Sequence, residues 1–360
     1  MLIRLIKSIF VYMKCTSFIL LLFCFSCANI IPLTGGDKDV SPPELITINP
    51  ENKSILFKDN SITMKFDEAI QINQSEKMFF SPYIDNDVNI QAKGDELLIS
   101  LKNEFKENTT YNIILDNIVK DITEGNVLKK LQYTFSTGAE IDTLYIEGTV
   151  LDAFTKKAVE KVSVGLYYTD SGSDSLLYKR KPDYLAKSDK DGFFRFSNLA
   201  NNSFHLLALE DIDNNLKFSL PQEKVGFIAK PIQASPKNIS VLVFDETALS
   251  DSLTNMPNDD NDSYGRLLID SLPNKSLIVE LLHKEYVIYR LTEPSLSLII
   301  DSLSAGTYSL RIIYDENDNG KWDSGNLAQK QQAEEVEYFP KDINIRSDWD
   351  VVVEWESSEL

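Results

Sequence analysis

The sequence has little cysteine and little histidine. Its three cysteines, Cys15, Cys24 and Cys27, all lie within the first 27 residues, and its two histidines are His205 and His283. A chain that keeps at most one cysteine after export cannot build a disulfide framework. Each histidine lies inside an alternating strand pattern, so we interpret both as sheet residues rather than as catalytic bases.

Cationic residues are also few compared with acidic ones. Lysine and arginine together number 36, against 55 aspartates and glutamates, and the formal net charge is −19. A negative field repels the phosphate backbone that a nucleic-acid-binding protein must neutralise. We therefore exclude nucleic acid as a partner. The 43% apolar content in turn excludes a mainly disordered chain.

Motifs of the common enzyme classes are absent. The sequence contains no HExxH, GxSxG, GxGxxG or P-loop pattern, so zinc, serine-hydrolase, dinucleotide and kinase mechanisms have no sequence support. Paired carboxylates are different, because an acidic chain always offers many Asp and Glu pairs. A hydrolase that uses two carboxylates therefore stays open as an alternative, to be decided by geometry.

The N-terminal segment, residues 1–26, has the pattern of a secretory signal peptide. Residues 16–26 form an uncharged, largely apolar run, preceded by Arg4, Lys7 and Lys14. A run of about 11 residues is shorter than the roughly 20 that a membrane-spanning helix needs. An uncleaved anchor, which would have to include residues 2–13, is the alternative. Either Met1 or Met13 is the true start.

The end of this segment suggests a lipid anchor. Phe25-Ser26-Cys27, followed by Ala28, resembles the lipobox of bacterial lipoproteins, in which the cysteine is acylated and becomes the first mature residue. The resemblance implies lipidation at Cys27 and a membrane partner, because two or more acyl chains hold a protein on a bilayer. A buried or incidental thiol is the alternative. The absence of Asp after the cysteine implies the outer membrane, with the periplasmic or surface-exposed face undetermined.

An all-β fold is predicted for the rest of the chain. Residues 27–43 form a Gly- and Pro-containing tether without apolar periodicity. Beyond it, apolar residues alternate with polar ones, as at Ile62, Met64 and Phe66, and no long helical stripe occurs. Short strands separated by Asn, Asp, Gly and Pro indicate tandem antiparallel β-sandwiches. Composition places these sandwiches at residues 44–140, 141–246 and 263–357, with an acidic, Asn-rich linker at 247–262.

Two of the sandwiches resemble known modules. The first, with Asp67-Glu68-Ala69-Ile70 and the closing segment 133–138, resembles the Ig-like domain first described in bacterial S-layer proteins. Together with Cys27 and the leader at 34–43, it is similar to an Ig-like lipoprotein family common in Bacteroidetes. The second, with residues 188–196, resembles the transthyretin-like, carboxypeptidase-regulatory-like module, which in that family is an accessory fold without chemistry of its own.

The third sandwich is predicted to be a diverged repeat of the second. A shift of 104 residues aligns a shared frame of leucine, aromatic, aspartate, asparagine and lysine positions without a gap, from Leu199/Leu303 through Phe204/Tyr308, Asp211/Asp315 and Asn215/Asn319 to Lys217/Lys321. Such a frame favours a repeated β-unit over chance identity. The opening strand of the third sandwich carries no family motif.

One loop resembles half of a calcium site. Asp315, Asn317 and Asn319 have oxygen-bearing side chains at alternate positions, and Gly320 and then Asp323 follow them. This order is that of the first part of an EF-hand loop. The twelfth position is Asn326 rather than the bidentate glutamate, and the flanks are strand-like. A metal-free hairpin loop capped by Asp and Asn explains the same residues. The equivalent loop at 211–216 lacks the glycine, which makes ligation there the weaker prediction.

Aromatic residues offer a second candidate site. Phe79, Phe80, Tyr83 and Trp322 could stack against sugar rings, although packing in the core or at its rim is the default interpretation. The leading hypothesis is a non-enzymatic, lipid-anchored envelope protein that acts as a binding or spacer module for an envelope protein or glycan, without a cofactor other than the calcium considered above. The alternatives are a glycan- or peptide-binding accessory lipoprotein of an uptake system and the carboxylate-dependent hydrolase.

Overall fold

The computed structural model describes residues 38–74, 78–84, 88–169, 179–236, 238–248, 264–284, 286–292 and 294–355. The chain divides into two compact units, Met1–Ser41 and Pro42–Leu360. Only residues 38–41 of the first unit are described, so the predicted signal peptide, Cys27 and most of the tether lie outside the described residues. Among the described ranges, none contains a helix long and apolar enough to cross a membrane.

The described residues form β-strands and no α-helix, which confirms the predicted all-β class. The first nine strands build the first sandwich. Their bounds are β1 Leu45–Asn49, β2 Ser61–Phe66, β3 Ile70–Ile72, β4 Phe79–Ser81, β5 Val88–Lys93, β6 Glu96–Leu101, β7 Thr110–Asp116, β8 Val119–Asp121 and β9 Lys130–Ser136.

The first sandwich has its core between two main sheets. One sheet has the strand order β1-β2-β6-β5 and the other has the order β4-β7-β9, while β3 pairs with β8. The alternation seen in the sequence of β2 is the reason for this packing, because Ile62, Met64 and Phe66 all point inward and are fully buried. From the opposite sheet, Tyr111 and Phe135 stack with their ring centroids 5.4 Å apart.

The remaining strands build a second and a third sandwich. The second contains β10 Leu144–Asp152, β11 Ser163–Tyr168, β12 Tyr184–Lys187, β13 Phe193–Leu199, β14 Ser203–Leu209, β15 Val225–Phe227, β16 Ile232–Gln233 and β17 Asn238–Val243. The third contains β18 Tyr264–Asp270, β19 Leu277–His283, β20 Tyr286–Thr292, β21 Leu298–Ser304, β22 Gly306–Tyr314, β23 Val336–Tyr338, β24 Ile343–Ile345 and β25 Asp350–Glu354.

These two sandwiches have the same strand topology. The orders β13-β10-β17 and β12-β11-β14-β15 of the second are repeated as β21-β18-β25 and β20-β19-β22-β23 in the third, with β16 and β24 added to β14 and β22. In each, the first and last strands pair in parallel, β10 with β17 and β18 with β25, whereas the other named pairs are antiparallel. The sequence predicted antiparallel sheets only. It did not predict the parallel pairs, because pairing between the first and last strands of a sandwich leaves no local pattern in the sequence.

Polar contacts join the first sandwich to the second. The backbone N–H of Tyr83 donates to the carbonyl of Asp183 at 2.6 Å, and the side-chain amide of the buried Asn112 donates to the carbonyl of Ser197 at 3.2 Å. In the segment that connects the two sandwiches, the backbone N–H of Asp142 donates to the Thr110 hydroxyl at 2.9 Å. Buried hydrogen-bonding groups need such partners, so these bonds set how the two sandwiches meet.

An apolar core joins the second sandwich to the third. The ring of Phe154, from the loop after β10, lies 4.3 Å from the guanidinium carbon of Arg311 on β22 and 4.8 Å from the ring of Trp322. Buried residues of both sandwiches surround this stack, including Tyr167, Phe244, Ile278 and Ile313. We call this shared core the second junction. Ala248, at the start of the predicted linker, also packs against it.

A buried ion cluster supports the second junction from the third sandwich. Glu280 on β19 is fully buried and accepts hydrogen bonds from Arg311 Nε and Arg290 Nε, both at 2.5 Å. Burial lowers the pKa of Arg311, but the Glu280 charge and the hydrogen bond to the Tyr338 hydroxyl raise it by more. The pKa of Arg311 therefore lies above its usual value. The guanidinium therefore stays charged while it stacks on Phe154.

We predict that Gly325→Ala destabilises the protein through the second junction. A Cβ at Gly325 would lie 2.4 Å from Phe244 Cζ and 2.8 Å from the backbone N of Ala333. The overpacking should lower the free energy of unfolding by about 1–3 kcal/mol, measured by urea denaturation. Gly306→Ala is the matched control, because its new Cβ would lie no closer than 3.3 Å to a neighbouring side chain. Equal stability of the two variants would contradict this prediction.

Candidate functional site: an aromatic groove and two acidic loops

A groove lies between the first and second sandwiches. Its volume is about 300 Å³. The first sandwich contributes a largely apolar wall, and the second contributes a mixed wall of apolar, charged and amide side chains; the lining residues are Met78, Phe79, Phe80, Tyr83, Ile84, Val88, Ile90, Ser163, Leu185, Lys187, Asp211, Asn214 and Leu216. Ligand sites are usually concave and combine apolar walls with a few polar groups that orient the ligand.

Cations lie over the aromatic rings of this groove. Lys187 Nζ is 5.6 Å from the centroid of Phe79, and Lys181 Nζ is 5.8 Å from the centroid of Tyr83. Both rings are half-buried, whereas Phe80 is buried in the core. Each lysine belongs to the second sandwich, so the two walls hold one another through cation–π contacts.

The structure brings Phe79 and Tyr83 into this groove but places Trp322 elsewhere. Trp322 is 5% exposed, packs on Phe154 and donates its indole N–H to the carbonyl of Glu334 at 3.0 Å. It therefore belongs to the second junction, as the core interpretation expected. A single stacking platform that contains all four aromatic residues does not form.

The predicted calcium loop is closed by hydrogen bonds within the protein. Asp315 accepts from the backbone N–H groups of Asn319 and Gly320, at 3.0 and 2.7 Å. Asp323 Oδ2 accepts from the side-chain amides of Asn317 and Asn319, both at 2.5 Å. The four predicted residues thus lie together, with Asp315 buried and the other three partly or largely exposed.

Sequence spacing missed one member of this loop, Glu334. Its two carboxylate oxygens accept from the N–H groups of Glu316 and Asp323, both at 2.9 Å, and the residue is 5% exposed. Burial raises the pKa of Glu334, the two N–H groups lower it, and the charges of Asp323 and Asp315 raise it again, with a net increase. Backbone N–H groups thus orient the carboxylates of Asp315 and Glu334 within the loop.

The equivalent loop of the second sandwich has the same hydrogen-bond frame. Asp211 accepts hydrogen bonds from the backbone N–H groups of Asn215 and Leu216 at 3.1 and 3.0 Å. Glu223 corresponds to Glu334, because its carboxylate accepts hydrogen bonds from the backbone N–H groups of Ile212 and Ser219. Leu216 has φ 60°, close to the 76° of Gly320. The backbone therefore adopts the left-handed turn without a glycine, at a cost of about 1 kcal/mol.

This second loop holds the closer group of carboxylates. Oxygens of Asp211, Asp213 and Glu223 all lie within 4.8 Å of one another. Burial raises the pKa of Asp211, hydrogen bonds from Leu216 and Asn215 lower it, and the nearby Glu223 and Asp213 raise it, with a net increase. The missing glycine made this loop the weaker prediction from sequence, yet it is the loop that lines the groove.

Candidates for acid–base chemistry include the carboxylates of this loop and the two histidines. Asp211 lines the groove, but its two oxygens accept backbone N–H bonds, as do those of Glu223. His283 Nδ1–H donates to the carbonyl of Thr307 at 3.0 Å, and His205 pairs with Tyr167 across the sheet. Both histidines lie in strands, at distant positions of different sandwiches.

Residues 39–137 match the bacterial Ig-like domain. This match confirms the resemblance predicted for the first sandwich, which we call the Ig-like domain from here on. None of the curated proteins matches this sequence.

Solved structures with partial similarity include surface proteins and enzymes. The N-terminal part of the bacterial S-layer protein SbsC has 10% identity and a TM-score of 0.20, with 54% of this chain and 44% of that chain covered. The major pilin subunit BcpA of Bacillus cereus has 12% identity and a TM-score of 0.20, with 56% and 70% covered. An L,D-transpeptidase from Mycobacterium smegmatis has 11% identity and a TM-score of 0.20, with 36% and 56% covered.

The chain thus spans about half of the transpeptidase and S-layer chains. At these TM-scores and identities, the similarities carry no argument about its activity or partners.

We predict that Asp315→Ala destabilises the third sandwich whether calcium is present or not. The change leaves the N–H groups of Asn319 and Gly320, in a partly exposed turn, without their carboxylate acceptor, which should lower the free energy of unfolding by about 1–3 kcal/mol. Asp318→Asn, at an exposed position of the same loop, is the control and should unfold like wild type. Thermal unfolding of the full chain in EDTA and in millimolar calcium gives the measurement. A calcium-dependent rise in the melting temperature of wild type that Asp323→Ala abolishes would instead assign the loop to calcium.

Proposed function

We propose that this chain is a non-catalytic, lipid-anchored protein of the cell envelope whose sandwiches act as a binding or spacer module. The observation that supports it best is the second junction, in which Phe154 contacts both Arg311 and Trp322. Such a buried contact fixes the positions of the loops on both sandwiches. The Ig-like domain adds a module of a kind known from bacterial proteins.

The proposed anchor is the acylated Cys27, at the start of the tether. The mature chain would then begin with a lipid on the outer membrane, and the Pro42–Leu360 unit would follow the tether. Acyl chains contribute about 0.8 kcal/mol for each buried CH₂ group, so two or more retain a protein on the bilayer. The lipobox-like Phe25-Ser26-Cys27 supports this anchor.

Replacement of the proposed acylation site tests the localisation. We expect Cys27→Ser to move the protein from the membrane pellet to the aqueous fraction, because a serine cannot carry the thioether-linked lipid. Cys24→Ser is the matched control and should stay in the pellet. Fractionation and immunoblotting of envelope preparations give the measurement. Retention of the Cys27→Ser protein in the pellet would contradict lipid anchoring at this residue.

The second candidate function is that of a glycan- or peptide-binding accessory protein. The groove between the Ig-like domain and the second sandwich favours it, since half-buried Phe79 and Tyr83 form its wall beside Lys187 and Asp211. Aromatic faces stack on sugar rings and on apolar side chains, while charged and amide groups orient a polar ligand. A role in binding rather than in hydrolysis fits carboxylates that are held by backbone N–H groups.

We predict that the groove, rather than exposed aromatic residues in general, carries this binding. Arrays of immobilised oligosaccharides and peptides provide the probes for the full chain. Tyr83→Ala should weaken retention on the probes that bind wild type by about tenfold or more, as loss of an aromatic hot spot does. Tyr286→Ala, at a 52% exposed tyrosine of the third sandwich, should bind like wild type. Equal loss in both variants would contradict a site in the groove.

A further inference from the structure

The outer face of one sheet in the third sandwich carries a row of apolar side chains. The sheet is β21-β18-β25, and its inward residues, such as Leu267 and Ile300, are buried in the core. On the outer face, Leu268 pairs in register with Ile299 on one side and with Val352 on the other. Ile299 and Val352 are 55% and 56% exposed. We call these three side chains the outer apolar row.

Charged rows flank the outer apolar row on both sides. On one side, Arg266 Nε lies 2.5 Å from Asp301, and its NH1 lies 3.8 Å from Asp350. On the other side, Asp270 pairs in register with Glu354. Like charges directly opposite one another in a sheet are destabilising. Within the described ranges, neither Asp270 nor Glu354 forms an ion pair.

The fold itself does not require this arrangement. The second sandwich has the same topology, and the outer row that corresponds to Ile299, Leu268 and Val352 there consists of Arg195, Glu147 and Asn238 in register. That row contains an ion pair, Arg195 with Glu147 at 2.7 Å, and the uncharged Thr149 and Ser240 stand where the third sandwich has Asp270 and Glu354. The apolar row and the opposed carboxylates are therefore features of the third sandwich alone among these two repeats.

We propose that this face of the third sandwich binds a cationic amphipathic helix of a partner protein. Neighbouring strands lie about 4.8 Å apart, so the outer apolar row is about 10 Å long, which matches an i, i+4, i+7 stripe of a helix. The flanking rows lie two residues along each strand, about 6.6 Å away, within reach of lysine and arginine side chains. Their cationic groups would lie beside Asp270 and Glu354.

The charges on this face select against other occupants. A second copy of the chain would bring a face with the same excess of carboxylates over cations, and an anionic lipid surface would bring phosphates. Both are like-charge contacts. A cationic segment instead relieves the repulsion between the two carboxylates as it binds. The proposal is independent of the groove, which lies between the other two sandwiches.

A designed helix tests the proposal on the full chain. The probe is a labelled 14-residue peptide, helical by composition, with a leucine stripe flanked by lysines; its control carries glutamates in place of the lysines. Fluorescence anisotropy at physiological salt measures the Kd of each. We expect the lysine peptide to bind and the glutamate peptide to bind at least about tenfold more weakly. Equal binding of both peptides, or no binding of either, would overturn the proposal.

Two double variants locate the binding face. Ile299→Thr with Val352→Thr removes the exposed apolar side chains, and Asp270→Asn with Glu354→Gln removes the opposed charges. Each should weaken binding of the lysine peptide by about tenfold or more. The charge variant should also melt at a higher temperature than wild type, because the repulsion is removed. That result would show that its weaker binding does not come from unfolding.

The control keeps the same net charge as the charge variant. Glu104→Gln with Glu107→Gln removes two exposed carboxylates of the Ig-like domain. The general attraction between the lysine peptide and the acidic protein is therefore reduced as much as in the charge variant. This control should bind the lysine peptide within about twofold of wild type. Equal loss in the control and in the charge variant would overturn the proposal, as would unchanged binding by the Ile299→Thr, Val352→Thr protein.

Discussion

The stack of Arg311, Phe154 and Trp322 is the interaction on which the relation between the second and third sandwiches depends. Arg311 can be buried there because Glu280 accepts its hydrogen bond and Tyr338 accepts another at 3.1 Å. Removal of one partner of such a buried ion cluster typically costs about 3–5 kcal/mol, because the other charge is left uncompensated. The ion cluster of the third sandwich therefore also holds the aromatic contact with the second.

The acidic loop of the third sandwich belongs to the same network. Trp322 lies within the loop, its indole donates to Glu334, and Asp323 and Glu316 donate to the carboxylate of that residue. A little further along the chain, Leu327 N–H donates to Glu246 of the second sandwich at 2.6 Å. The loop thus positions the residues of the second junction. In the second sandwich the equivalent loop lines the groove instead, so one repeated element has two structural roles.

Much of the fold could be predicted from sequence, because alternation in strands such as β2 and the gapless shift between Asp211 and Asp315 are local signals. The second junction could not. Strands β11 and β19 are buried on both faces. Their nearly continuous apolar runs are typical of strands covered on both sides, but a sequence pattern does not indicate which part of the protein covers them. Glu334 was missed because a hairpin separates it from the loop, and the groove because it forms only where two sandwiches meet.

Hydrogen exchange of the full chain and of Phe154→Ala tests the central claim most directly. If the second junction unites the two sandwiches, loss of the ring should reduce protection in β11 of the second sandwich and in β19 of the third by similar free energies, because they open together. Protection in β7 of the Ig-like domain should change little. A loss of protection confined to the second sandwich, with β19 as in wild type, would contradict the account.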